Sequence, residues 1–179
     1  MRTTNNLLLG KVSEANMGNR AAVVFTNNHG EVSPAAYLHW QGGPESIYAF
    51  IAELDRRKVR AGDDYELARF THIVGDFFDD KEATALSLGI MSGPNTIDIT
   101  DEGLCALCHT ADDNGVFVVN RCGKKMGVRR FLPVYDTNGC REVTPKIVEQ
   151  ERREAIKSEK HAAIFAKLIT LRPKVSENG

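Results

Sequence analysis

Cys105-Ala106-Leu107-Cys108-His109 is the run in this sequence whose residue types bear most directly on chemistry. Two thiolates at that spacing can bind one metal ion, and Cys122 and Cys140 follow after gaps of 13 and 17 residues. Around Cys105 and Cys108, Cys122 with either Cys140 or His109 can complete a tetrahedral zinc site. The other reading is four cysteines that pack as small hydrophobes. The same run matches covalent haem attachment, but that needs export, and the N-terminus lacks a basic segment followed by a long apolar one. Dithiol redox chemistry is not suggested, because the pair follows a loop rather than a βαβ strand. Zinc is therefore the one cofactor these residues suggest, and nothing requires one.

A second constellation is Leu38-His39-Trp40-Gln41-Gly42-Gly43-Pro44. A strand ending in Trp, a diglycine turn and a helix start together make an anion pocket in principle. Backbone N–H groups approach closely at Gly42 and Gly43, the helix dipole favours negative charge, and Trp40 can stack a base. Arg20 falls nearby if the preceding segments pair as a hairpin. The competing reading is a tight strand-to-helix connection that uses glycine for its backbone freedom, with Trp40 filling the core.

Arg121, Lys124, Lys125, Arg129 and Arg130 interleave with Phe131 and Tyr135, and Arg152 and Arg153 follow. On a hairpin they would give a positive ribbon for a partner or for nucleic-acid phosphates. Residues 1–119 hold 9 Lys/Arg against 17 Asp/Glu, whereas residues 120–179 hold 14 against 7. Halves so opposed suggest a basic surface meeting something acidic, whether a partner, nucleic acid or the acidic half itself. No Gly-x-Ser-x-Gly, kinase or P-loop pattern occurs, and no nucleophile–base pair can be read. The residues point to a binding protein rather than an enzyme.

The elements that must position these groups follow from periodicity. Residues 1–16 read as an extension. Arg20 to Asn27, a turn at Asn27-Asn28-His29-Gly30, and Ala35 to Trp40 read as a hairpin. Pro44 opens a helix with apolar positions 47, 50, 51 and 54, and Asp63 or Asp64 caps a second. Strands are expected at 84–90, 116–119 and 126–134. That order predicts an α+β fold, an antiparallel sheet with two helices packed on one face, as a core domain over 17–135. Thr144-Pro145 then starts a long C-terminal helix over 144–171, roughly 25 residues or nearly 40 Å, before a tail at 172–179. Its apolar stripe thins at Glu151 to Glu154, which predicts a projecting arm able to pair with a partner or a second copy. No stretch reaches the length of a membrane span, and a cytoplasmic location is expected.

Met17-Gly18-Asn19-Arg20-Ala21, Tyr37-Leu38-His39-Trp40-Gln41-Gly42-Gly43, Ile73-Val74-Gly75-Asp76-Phe77-Phe78, Leu86-Ser87-Leu88-Gly89 and Asp113-Asn114-Gly115-Val116 resemble a family of short proteins carried by phages, prophages and conjugative elements. The resemblance covers about residues 17–120; the Cys-x-x-Cys-His run and the C-terminal helix lie outside the shared pattern. It implies an accessory protein of a mobile element. The function it implies is anti-defence, as in an anti-CRISPR inhibitor that binds a host defence complex stoichiometrically. A signal-sequestering nucleotide binder and a nucleic-acid binder are the alternatives.

Overall fold

Ala21–Thr26 has no polar residue before its last position, and all six of its side chains are buried. A strand buried on both faces reads as a continuous apolar run, and this one lies at the centre of a six-stranded sheet. The computed structural model describes residues 19–57, 63–78, 88–122 and 125–171. In chain order the elements are β1 (Ala21–Thr26), β2 (Ala35–Leu38), α1 (Pro44–Arg56), α2 (Asp63–Phe78), β3 (Leu88–Met91), α3 (Glu102–Ala111), β4 (Val116–Cys122), β5 (Lys125–Val134), β6 (Gly139–Glu142), α4 (Pro145–Lys157) and α5 (Glu159–Leu171). The sheet runs β3-β2-β1-β4-β5-β6.

The fold is α+β, but the sheet is mixed rather than antiparallel throughout. β1 and β4 are parallel, with Ala22 opposite Val116 and Thr26 opposite Asn120, whereas the other neighbours are antiparallel. The cause is local. α3 returns the chain to the point where β1 begins: the Asn114 amide donates to Arg20 O at 3.1 Å and the Ala22 amide to Gly115 O at 3.0 Å. Both strands therefore start from one end.

Helices also cover both faces rather than one. Ala21, Val23, Phe25, Phe117 and Val119 pack with α1, α2 and the C-terminal helices. Ala22, Val24, Val116, Val118 and Phe131 pack under α3 with Leu104, Leu107 and Cys108. Sequence periodicity did not yield α3 or β6. α3 is capped by Asp101, whose carboxylate accepts from the Leu104 amide at 2.9 Å and the Thr96 amide at 3.0 Å.

The projecting arm is the main correction. The expected single helix breaks at Ser158, which is extended at φ −74° and ψ 147°. The Ser158 hydroxyl donates to Ala155 O at 2.7 Å and accepts from the His161 amide at 3.1 Å. One side chain thus ends α4 and begins α5. The turn lets both helices fold back on α1, burying Val148, Ala155, His161, Ile164 and Leu168. The outward side keeps Ile147, Ile156 and Ile169 exposed. Residues 1–16 and 172–179, expected as an extension and a tail, lie outside the described residues.

Candidate functional site

Three of the segments that carry the family resemblance meet at the start of β1. The Asn19 amide donates to His39 O at 3.2 Å and the Gly42 amide to Asn19 O at 2.6 Å. From the other side, the Asn114 side-chain amide donates to Asn19 Oδ1 at 2.6 Å and to Arg20 O at 3.0 Å. The Arg20 guanidinium donates to Asp112 at 2.6 Å and Asp113 at 3.1 Å. Desolvation opposes the ionised form of Asp113, yet the Arg20 backbone and guanidinium hold it below the usual carboxylate range.

This junction accounts for the diglycine. A Cβ on Gly42 would stand 2.5 Å from the Asn19 O, Arg20 C and Ala21 N backbone atoms, so only glycine allows the approach. Gly43 is the residue before α1, and no side chain caps that helix end. Trp40 is half-buried, edge-on to His39 with centroids 5.0 Å apart. Arg20, Trp40, Gly42 and Gly43 are thus close together as expected. The polar atoms of Arg20 and Gly42 are engaged with neighbouring segments, as a tight connection requires, but Trp40 does not fill the core.

The basic candidates are also engaged. Arg129 forks onto Glu142 at 2.7 and 2.9 Å. Arg130 is buried, donates to Glu151 at 2.8 Å and lies 5.0 Å above the Phe117 ring. Arg152 and Arg153 both reach Glu149 on their own helix, at 2.8 and 2.9 Å, and hold its carboxyl down to about 2. Lys124 lies outside the described residues, and only the backbone of Arg121 and Lys125 is described.

The cysteines gather on the opposite face of the sheet. Cys105 and Cys108 project from α3 and Cys140 from β6 into one buried cluster. The Cys105 and Cys140 sulfurs are 2.7 Å apart. Burial pushes the Cys108 thiol up to about 12 and raises Cys140 as well, where the Cys105 thiol adds to the effect. Cys122 pairs with Lys125 at the far end of β4, about 20 Å along the strand from Val116 at 3.3 Å per residue. It is therefore remote from the cluster.

Two thiolates on one tetrahedral zinc with bonds of 2.3 Å stand about 3.8 Å apart, so Cys105 and Cys140 as placed do not fit the same ion. Among the described residues, no group of three or more His, Cys, Asp or Glu is arranged to hold a metal.

Beside the thiols the surface opens into a hollow of about 520 Å³, lined by Thr100, Glu102, Cys105, Ala106, His109, Asn138 and Gly139. The His109 Nε2 meets Gly139 O at 3.0 Å. As a carbonyl only accepts, Nε2 is the donor. Tyr135 packs its ring against the lining residue His109 and Ile99 precedes the lining residue Thr100 in the chain; both are among the most exposed large hydrophobic residues described, at 66% and 53%. The Tyr135 hydroxyl donates to Asp112, the carboxylate that also holds Arg20. The hollow and the β1 junction are thus joined through one aspartate. Sequence reading missed the hollow because α3 and the 135–138 turn meet only in three dimensions; its one legible sign was an aromatic, Tyr135, beside a polar turn.

No family model matches the chain, and neither a curated protein nor a solved structure does. The fold and the hollow define the class, an α+β protein with a mixed, doubly covered sheet. Among the described residues, no helix is long and apolar enough to cross a membrane.

Proposed function

We propose that the chain is a stoichiometric binding protein whose contact surface is the α3 hollow and its rim. The observation that carries this is the placement of exposed Ile99 and Tyr135 beside a concave site. Large apolar side chains grouped around a depression are what a partner's anchor residue packs against. His109, Asn138 and the Gly139 backbone supply polar groups that would fix its orientation.

The family resemblance extends this proposal to an accessory protein of a mobile element that inhibits a host defence complex by binding it. The test is affinity purification of the tagged full chain from a host carrying several defence systems. The proposal expects a defence complex at equimolar ratio and no nucleotide turnover. Recovery of no such complex counts against it.

A second reading is small-ligand binding in the same hollow, favoured by its volume, which lies within the range of ligand pockets of about 300–1,000 Å³. Nucleic-acid binding is less supported, because Arg129, Arg130, Arg152 and Arg153 already meet carboxylates.

A further inference from the structure

We propose that Cys105 and Cys140 form a reversible disulfide that fastens α3 to β6 in the wall of the hollow, closed by a low-molecular-weight disulfide such as oxidised glutathione. The two sulfurs are 2.7 Å apart, and a disulfide bond is about 2.05 Å long. Closing the gap asks the sulfurs to approach by about 0.65 Å. The residues are 35 positions apart and belong to different elements, so the tertiary fold creates the encounter. Both thiols also face one acceptor, Ile99 O, at 3.3 and 3.9 Å, which aims them into the same small volume.

Access is narrow. Cys105 is only 8% exposed but lines the hollow, and Cys140 follows Gly139, another of its lining residues, so a reagent entering from solvent meets the pair at the Cys105 edge. Cys108 is wholly buried and out of its reach.

Cys105, as its thiolate, attacks one sulfur of the small disulfide; the S–S bond breaks, one thiol leaves and a mixed disulfide remains on Cys105. Cys140 then loses its proton to water and attacks the Cys105 sulfur, expelling the second thiol. The protein gives up two electrons and two protons, and one small disulfide becomes two thiols. The new bond fixes the α3 wall against the turn that carries Asn138 and Gly139, so the redox state sets how freely the hollow opens.

The test uses the full chain, purified reduced and incubated with oxidised glutathione, then trapped by alkylation in denaturant and mapped by peptide mass spectrometry. The expected map shows a Cys105–Cys140 linked peptide, with Cys108 and Cys122 alkylated, and dithiothreitol restores four free thiols. Because the bond closes a long loop, the melting temperature of the oxidised form should rise by about 5 °C. Cys140→Ser should stop at a Cys105–glutathione adduct, a readout independent of any stapling effect. Alkylation of both Cys105 and Cys140 after oxidation would overturn the proposal. So would a link through Cys108 or Cys122, or stoichiometric zinc in the purified protein. None of these outcomes depends on whether the hollow binds a partner.

Discussion

His109 and Tyr135 meet edge to face with ring centroids 5.7 Å apart, one on α3 and the other on the turn after β5. The contact sets Tyr135 against a lining residue of the hollow, and the bond from the Tyr135 hydroxyl to Asp112 keeps the ring from swinging away. An exposed aromatic held at both ends is a preformed contact, since little side-chain freedom remains to be lost on binding.

The rim should be dispensable for folding. Tyr135→Ala and Ile99→Asp remove or alter side chains that are mostly in solvent, so each should change stability by no more than about 1 kcal/mol. Chemical denaturation measures this directly. A loss several times larger would mean that these residues are structural, and would weaken the case for a recognition surface.

Gly42→Ala should be costly where Gly43→Ala is mild. The added methyl at Gly42 meets three backbone atoms at 2.5 Å, whereas the nearest atoms at Gly43 are side-chain groups at 3.0 Å or more. Forcing apart the packed start of β1 should lose about 2–4 kcal/mol, read from thermal or urea melts. Equal effects at the two positions would contradict the assignment of Gly42 to chain packing.

Arg130 joins β5 to α4, with the Glu151 carboxylate at 2.8 Å, and its Nε donates to Asn114 O at 3.0 Å. Removing a buried cation leaves Glu151 unpaired and opens space above Phe117. Arg130→Ala should therefore destabilise by about 3 kcal/mol, and Arg153→Ala, at a highly exposed pair, by under about 1 kcal/mol. Urea midpoints compare the two, and similar losses would undo the distinction.

His161 gives the interior a pH limit. Burial lowers its pKa, with a weaker opposing effect from a Tyr48 backbone hydrogen bond, and its Nε2 has no hydrogen-bond partner. The folded value thus lies below the unfolded one of about 6.5. Above that pH neither state holds the proton, and the contribution to stability is constant. As pH falls below it, the unfolded chain takes up the proton first, so stability is lost until the folded ring also titrates. His161→Gln should flatten the decline in melting temperature between pH 7.5 and 5; an unchanged decline would remove His161 as its cause.

Much of the near-neighbour structure was legible in the sequence. The Asn27–Gly30 turn between two β-rich runs gives the β1–β2 hairpin, and Pro44 with the apolar spacing after it gives α1. The β1 run also carried a sign of two-sided burial, the absence of alternation, that a one-sided sheet cannot explain. α3 had both a cap, Asp101, and apolar residues at 104, 105, 107, 108 and 111, but the same letters form a metal-type motif that competed with the helical reading. Asn138-Gly139 marked a hairpin turn into β6, a strand of only four residues. Ser158 looks like any polar residue on a helix surface; its double capping depends on the backbone leaving the helix there. The parallel pairing of β1 with β4, and with it the junction, rests on contacts between residues more than 90 positions apart, and the hollow on contacts 30 and 35 positions apart, which local periodicity does not encode.

If the α3 hollow is the contact surface, paired variants will separate it from the β1 junction. Affinity of the recovered complex would be measured for the full chain, for an Ile99→Asp/Tyr135→Ala double variant and for Arg20→Ala, each confirmed folded by its melt. The rim variant should lose about 100-fold or more in affinity, and Arg20→Ala should bind near-natively. Binding retained by the rim variant, with loss confined to Arg20→Ala, would contradict the hollow as the contact surface.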